Sequence, residues 1–183
     1  MERRNLRAKL TGQHISVRAQ CSQSYVLARY AGCYFSPLHS SALSRLLQVA
    51  LAFKEWITPA DIRRHPRSIF VFGDNVERRG RGGLAGVCRD QPNAIGVVTK
   101  WWLGRREQDF FSDANFKRCF EMILHDLKKV EEVLAYGGEV IFPTAPLGSG
   151  LSKMPERCPR LYEAMKEVVR VFPQRYGGMP SPW

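Results

Sequence analysis

The sequence predicts an α/β fold in three layers, a mostly parallel sheet flanked by helices. Two observations lead there. "SIFVF" (68–72) is a continuous apolar run, as expected of a strand covered on both faces, and "NAIGVVTKW" (93–101) and "EVIFPTA" (139–145) read as two further strands. Helical segments separate them, giving the order strand, loop, helix, strand, helix, strand, loop, helix.

Each element has a local cause. In "SALSRLLQVALAF", Leu43, Leu46, Leu47 and Ala50 recur at helical spacing, so a short helix is expected over 41–53. Thr58-Pro59-Ala60-Asp61 is a helix start: Thr58 caps, Pro59 sits in the first turn and Asp61 faces the cap's amide. That helix ends near His65-Pro66, because a residue before proline avoids helical geometry. "DANFKRCFEMILHDLKKVEEVL" is the clearest helix. Its apolar stripe runs through Phe116, Phe120, Ile123, Leu127, Val130 and Leu134, with Asp113 expected to cap its start and Gly137-Gly138 its end. A last helix is expected over 156–172, with Leu161, Met165, Val168, Val169 and Phe172 inside. Three segments follow from this: a basic, poorly ordered arm (1–52), the α/β domain (53–174) and an irregular tail (175–183).

Composition bounds the function. The chain has 183 residues, 44% of them hydrophobic and 25% charged, which suits one packed domain with an appendage. Net charge is +11. Residues 1–50 contribute six Arg and one Lys against Glu2, so more than half the excess sits in the first quarter. That stretch has the composition of an organellar transit peptide, of a loose basic arm, or of an overextended start. Excess positive charge draws phosphate-bearing partners without specifying them. Cys21, Cys33, Cys88, Cys119 and Cys158 are scattered and odd in number, and no histidine stands at ligand spacing beside them. Reduced thiols in a cytoplasmic protein are expected, with no metal site, no cofactor and, since no apolar run can cross a bilayer, no membrane partner.

The chemistry concentrates in two glycine-rich loops, each after a strand. One runs from Gly73, Asp74 and Asn75 through Gly80, Gly82 and Gly83 to Leu84 and Ala85. The other carries Gly148, Ser149, Gly150 and Leu151. Ligands of open α/β sheets collect beyond the carboxyl ends of the strands. Glycine there lets successive amides converge on one anion, and helical sequence behind each loop, "LAGVCRD" and "PERCPRLYEAM", adds free N–H groups. Either loop alone reads as tight turns; together they point to a phosphate site. The absence of GxxxxGK[ST] leaves P-loop phosphoryl transfer unindicated.

"FVFGDN" with GxGGxAG, "PNAIGVVTK", "FFSDANF", "GGEVIFP" and "LGSGL" resemble, in that order, an uncharacterised family of small bacterial and phage proteins. These in turn look like relatives of macro domains, the ADP-ribose-binding modules. The resemblance covers about residues 53–172. It implies a macro-like fold and a nucleotide ligand, with Asn75, Gly82 and Gly83 near the distal ribose and diphosphate and Gly148-Ser149-Gly150 as the second phosphate loop. It supplies no counterpart of the acidic residue that holds the adenine amine.

Several residues carry two readings. As catalytic candidates, Asn75 or Asp74 positions a water or ribose hydroxyl, with Asp74 the carboxylate in reach to act as general base; otherwise Asp74 is a turn residue closing its own backbone. Thr99 and Lys100 end the second strand at the same rim, where Lys100 either pairs with a phosphate or sits in water. Trp101 or Trp102 stacks on a base or packs. Arg78, Arg79 and Arg81 steer an anion or form a solvated loop. Cys88 and His125 read as packing and surface residues. The functions that follow are a nucleotide or ADP-ribose pocket, with or without hydrolysis of the ligand or of an ADP-ribosyl linkage, a nucleic-acid binder using the basic arm, or a phage or host interaction module.

Overall fold

The structure, a computed structural model, describes residues 51–183. Four strands, β1 (Leu51–Lys54), β2 (Ser68–Asn75), β3 (Ala94–Lys100) and β4 (Glu139–Pro143), form one sheet in the order β1-β4-β2-β3. All three pairings are parallel. The helices are α1 (Pro59–Arg64), α2 (Ala85–Cys88), α3 (Phe116–Ala135), α4 (Met154–Arg157) and α5 (Pro159–Tyr176). Parallel pairing aligns every strand's carboxyl end at one rim. β2 and β4 are neighbours, so the loops that follow them leave side by side.

The pleat explains the layers. Phe70 and Phe72 of β2 point to one face, where with Ile141 they pack against Ile57 and Ile62 and against Ala85 and Cys88 of α2. Val71, between them in sequence, is fully buried on the other face. There α3 and α5 pack on each other and on the sheet. The α3 stripe behaves as its spacing predicts: Phe120, Ile123, Leu127, Val130 and Leu134 are buried, with Phe116 half-buried at the end. Leu161, Met165, Val169 and Phe172 do the same for α5, while Val168 is half-buried.

Local signals also hold at two ends. Thr58 and Asp61 close a reciprocal capping box, with Thr58 N donating to Asp61 Oδ2 at 2.8 Å and Asp61 N to Thr58 Oγ1 at 3.2 Å. Gly137, at φ +77°, and Gly138 finish α3 by donating their amides to Leu134 and Val133 carbonyls.

Three elements differ from the sequence expectation. Leu51–Phe53 are not helical: they open β1, whose register sets Leu51 opposite Val140, and the rest of the expected 41–53 helix lies outside the described residues. Asp113 does not cap α3. It lies in a 3₁₀ turn and its carboxylate accepts from the Arg160 and Leu161 amides, capping α5 instead. The last helix is longer than expected and is split, α4 and α5 meeting at Cys158. Beyond α5 the chain has no helix or strand but is anchored. Met179 N donates to Leu51 O at 2.8 Å, and the buried Trp183 donates from Nε1 to Pro143 O at 3.1 Å.

Candidate functional site

The two glycine loops meet. Gly73, Asp74, Asn75, Arg79, Gly80, Gly82 and Ala85 from the first, and Leu151 and Ser152 from the second, line one cavity of about 180 Å³. Arg89, Lys100 and the segment Leu103–Gly104–Arg105 complete its wall. A Cβ built on Gly73 would lie 3.7 Å from Gly148 N, which measures how closely the loops approach.

The sheet delivers these side chains through a bulge. Register shifts between Asp74 and Asn75, so that Asp74 faces Val98 while Asn75 faces Lys100, leaving Thr99 as the extra residue. Such an insertion re-aims the side chains around it. Thr99 Oγ1 donates to Asp74 O at 3.0 Å and shares a 2.6 Å hydrogen bond with Ser152 Oγ, tying the second loop to the end of β2. Lys100 lines the cavity.

Lys100 is the unusual group. It is 8% exposed, its Nζ donates to Gly104 O at 2.8 Å, and it lies 4.5 Å from the centre of the Phe110 ring. It makes no ion pair among the described residues. Burial lowers its pKa from 10.5; Asp109 opposes that shift and Arg105 adds to it. A buried ammonium with one carbonyl partner retains donors that can be aimed at an anion.

Around it, Arg79 and Arg105 likewise make no ion pair among the described residues, and Asp74 is the only acid in the lining. Asp74 is committed to the fold. Its carboxylate accepts from Asn75 N at 2.7 Å and from the two terminal nitrogens of the Arg89 guanidinium, and Arg78 approaches to 3.5 Å. Arg89 also donates to Gly80 O and Arg79 O, so this pair pins the first loop over the strand end. Asn75 is occupied too: Nδ2 donates to Arg79 O at 2.7 Å and Oδ1 accepts from Arg79 N at 3.4 Å. Both residues hold the loop in shape.

Of the residues read from the sequence, Gly73, Asp74, Asn75, Arg79, Gly80, Gly82, Ala85, Lys100 and Leu151 reach the cavity lining. Gly83, Leu84, Thr99, Gly148, Ser149 and Gly150 do not line it. Leu84 packs against the core, Ser149 closes a turn on Pro146 O, and Gly148, at φ +82°, is held by Met154, whose Sδ would be 2.3 Å from an added Cβ. Glycine at two lining positions has a cause inside the protein. A Cβ on Gly80 would meet Leu103 Cδ2 at 2.1 Å, and one on Gly82 would meet Leu151 Cδ1 at 2.8 Å. Two half-exposed leucines thus lean over the cavity mouth. The helical N-termini expected behind the loops are single turns of four residues, too short to add a useful dipole.

Other candidates separate. Arg78 is spent on Asp126 at 2.6 Å and on Gly96 O, and Arg81 pairs with Asp90. Cys88 is a core thiol that burial pushes up to about 12, and His125 is exposed on α3. Cys119 and Cys158 are buried free thiols as well, while Cys21 and Cys33 lie outside the described residues. Among the described residues no group of three or more His, Cys, Asp or Glu could hold a metal, and no helix is long and apolar enough to cross a membrane. Arg89, Leu103, Gly104, Arg105 and Ser152 were not singled out in the sequence. They reach the cavity through contacts distant in the chain, and no local pattern marks them.

Comparison with known proteins gives a family but no activity. No curated protein and no solved structure matches the chain. The profile of a family of unknown function (DUF7831) matches residues 52–168, which takes in all of the cavity lining and all four strands but for Leu51, and the chain belongs to that family.

Proposed function

We propose that the protein binds a phosphate-bearing nucleotide, ADP-ribose or a related compound, with a phosphate group in the cavity between the two loops. The observation that carries this is the Lys100 ammonium, buried at the cavity with Gly104 O as its hydrogen-bond partner and no ion pair among the described residues, the Asp109 carboxylate acting on it only through space. Arg79 and Arg105 add charge at the same place, and exposed arginines at a cleft raise the rate of anion encounter. The macro-like resemblance of "FVFGDN", GxGGxAG and "LGSGL" supports a diphosphate ligand at this rim. Size limits the claim: small-molecule pockets run to roughly 300–1,000 Å³, so a cavity of about 180 Å³ holds a phosphate and its immediate neighbours. Leu103 and Leu151 would have to swing aside for more. The proposal is one of binding, since Asp74 and Asn75 are engaged in the loop's own hydrogen bonds.

Calorimetric titration of the full chain with ADP-ribose, ADP and inorganic phosphate tests it. Binding should be lost or weakened at least about tenfold in Lys100→Gln, a buried charged hydrogen bond being worth roughly 1.5–3 kcal/mol, and should fall with salt. Unchanged affinity in Lys100→Gln, or no binding of any of the three at millimolar concentration, refutes it.

A second reading rests on the charge of residues 1–50, seven basic side chains against one acid. Under it the basic arm binds nucleic acid through phosphates. Deleting residues 1–50 should then abolish salt-dependent nucleic-acid binding and leave nucleotide binding intact.

A further inference from the structure

We infer that the cleft beside Trp101 and Trp102 is the base subsite of the same ligand, so that the protein takes a nucleotide whose aromatic base stacks on Trp102. The inference rests on the phosphate reading above and extends it across the loop that follows β3. That loop is closed by an antiparallel bridge between Lys100 and Phe110, and the Trp101 and Trp102 amides both donate to Asp109 O. Its inner side, with Lys100, Leu103, Gly104 and Arg105, walls the phosphate cavity. Its other side borders a cleft of about 600 Å³ lined by Trp101, Trp102, Phe111, Gln108, Asn115 and Arg118. One contact joins the two linings: Lys100 Nζ, which borders the cavity, lies over the Phe110 ring at 4.5 Å, and Phe110 also borders the cleft.

The chemistry of the cleft selects an aromatic base over other occupants. Trp101 is already used, its ring edge-on to Phe111 at 4.9 Å and under the Arg118 guanidinium at 5.0 Å. Trp102 is not. It is 44% exposed and, among the described residues, its one ring contact is with Trp101, at 6.1 Å and tilted by 37°. An indole held this open beside an anion site offers a free π-face, and any nucleobase can stack on one. Gln108 and Asn115 bring amide donors and acceptors to the same cleft, the groups that read a base edge. The phosphate cavity is too small for a whole nucleotide and the cleft next to it is large enough for a base. Lys100, Trp101 and Trp102, consecutive in the chain, serve the two ends of one guest.

The test uses the full chain, four probes and three variants. Binding of AMP, ribose 5-phosphate, inorganic phosphate and adenosine is measured by calorimetry and by tryptophan fluorescence quenching in wild type, Trp102→Ala, Trp102→Phe and Lys100→Gln. Stacking losses on alanine substitution correspond to about 5- to 150-fold in affinity. Trp102→Ala should weaken AMP within that range, leave ribose 5-phosphate and inorganic phosphate unchanged, and be largely rescued by Trp102→Phe. Lys100→Gln should weaken all three phosphate compounds. If Trp102→Ala binds AMP as wild type does while Lys100→Gln does not, the base subsite is refuted and the phosphate reading stands. If adenosine alone binds, with quenching that needs Trp102, the subsite stands and the phosphate reading fails. If no probe binds, both are refuted. The half-exposed side chain makes the substitutions compatible with folding, and an unchanged circular dichroism spectrum checks it.

Discussion

Removing the Asp74 carboxylate should unfold the loop before it affects any chemistry. Asp74 and Arg89 have side chains 3% and 11% exposed, so this is an interior pair rather than a surface one. Asp74 accepts from Asn75 N and from two Arg89 nitrogens, while Arg78, 42% exposed and 3.5 Å away, contributes little through solvent. Truncating one partner of a buried pair leaves the other charge uncompensated and costs about 3–5 kcal/mol. Asp74→Ala is expected to cost that much, and Asp74→Asn about half, since an amide oxygen can still accept from Asn75 N. Arg89→Ala should cost a similar amount, because it also releases the Gly80 and Arg79 carbonyls that Arg89 holds. For a domain of this size 3–5 kcal/mol corresponds to a fall in Tm of roughly 10–20 °C. Urea denaturation of the two single variants and the double variant gives the coupling energy, expected at about 1–3 kcal/mol. Additive losses, or an Asp74→Ala variant as stable as wild type, would show that the pair does not hold the loop. A free carboxylate acting as a base would then return as the better account of Asp74.

Other expectations are independent of that pair. Gly148→Ala forces a side chain onto φ +82° and against Met154, and should cost about 1–3 kcal/mol in urea denaturation; no loss would mean that the turn after β4 is misplaced. Asp61 is held below its ordinary 3.8 by hydrogen bonds from Lys54 first and then from Thr58. A group with a depressed folded-state pKa lends stability that is complete above its unfolded value and fades as pH falls below it. The stability difference between wild type and Asp61→Asn should therefore be constant above about pH 5 and shrink as acid is added below 3.8; a difference that vanishes near neutrality contradicts the capping box.

Fold and site were legible to different depths for a physical reason. The α1 start was readable because Thr58 and Asp61 satisfy each other within four residues. The α3 stripe was readable because one helix face alone sets its spacing. "LAFK" was not, since its first three residues continue a helical pattern and become β1 only by pairing with β4, far along the chain. Asp113 failed for the same reason: its carboxylate had a local helix to cap and went instead to amides at 160 and 161. In the site, the glycine loops and Lys100 announced themselves by following strands. Arg89, Arg105 and Ser152 are defined by where the chain returns, and only the tertiary structure shows it. Gly80 and Gly82 also make room for Leu103 and Leu151, a demand from distant residues that neither the tight-turn nor the ligand reading of the loop contained.

The most direct measurement is the titration of the Lys100 side chain by NMR, through its ε-carbon shift, with and without inorganic phosphate or ADP. Burial should place its pKa below 10.5 in the free protein. An anion seated against the ammonium stabilises the charged form, so the ligand should move that pKa upward and its affinity should fall as pH rises through it. A lysine that titrates near 10.5 and ignores both ligands would contradict an anion site at this rim of the sheet.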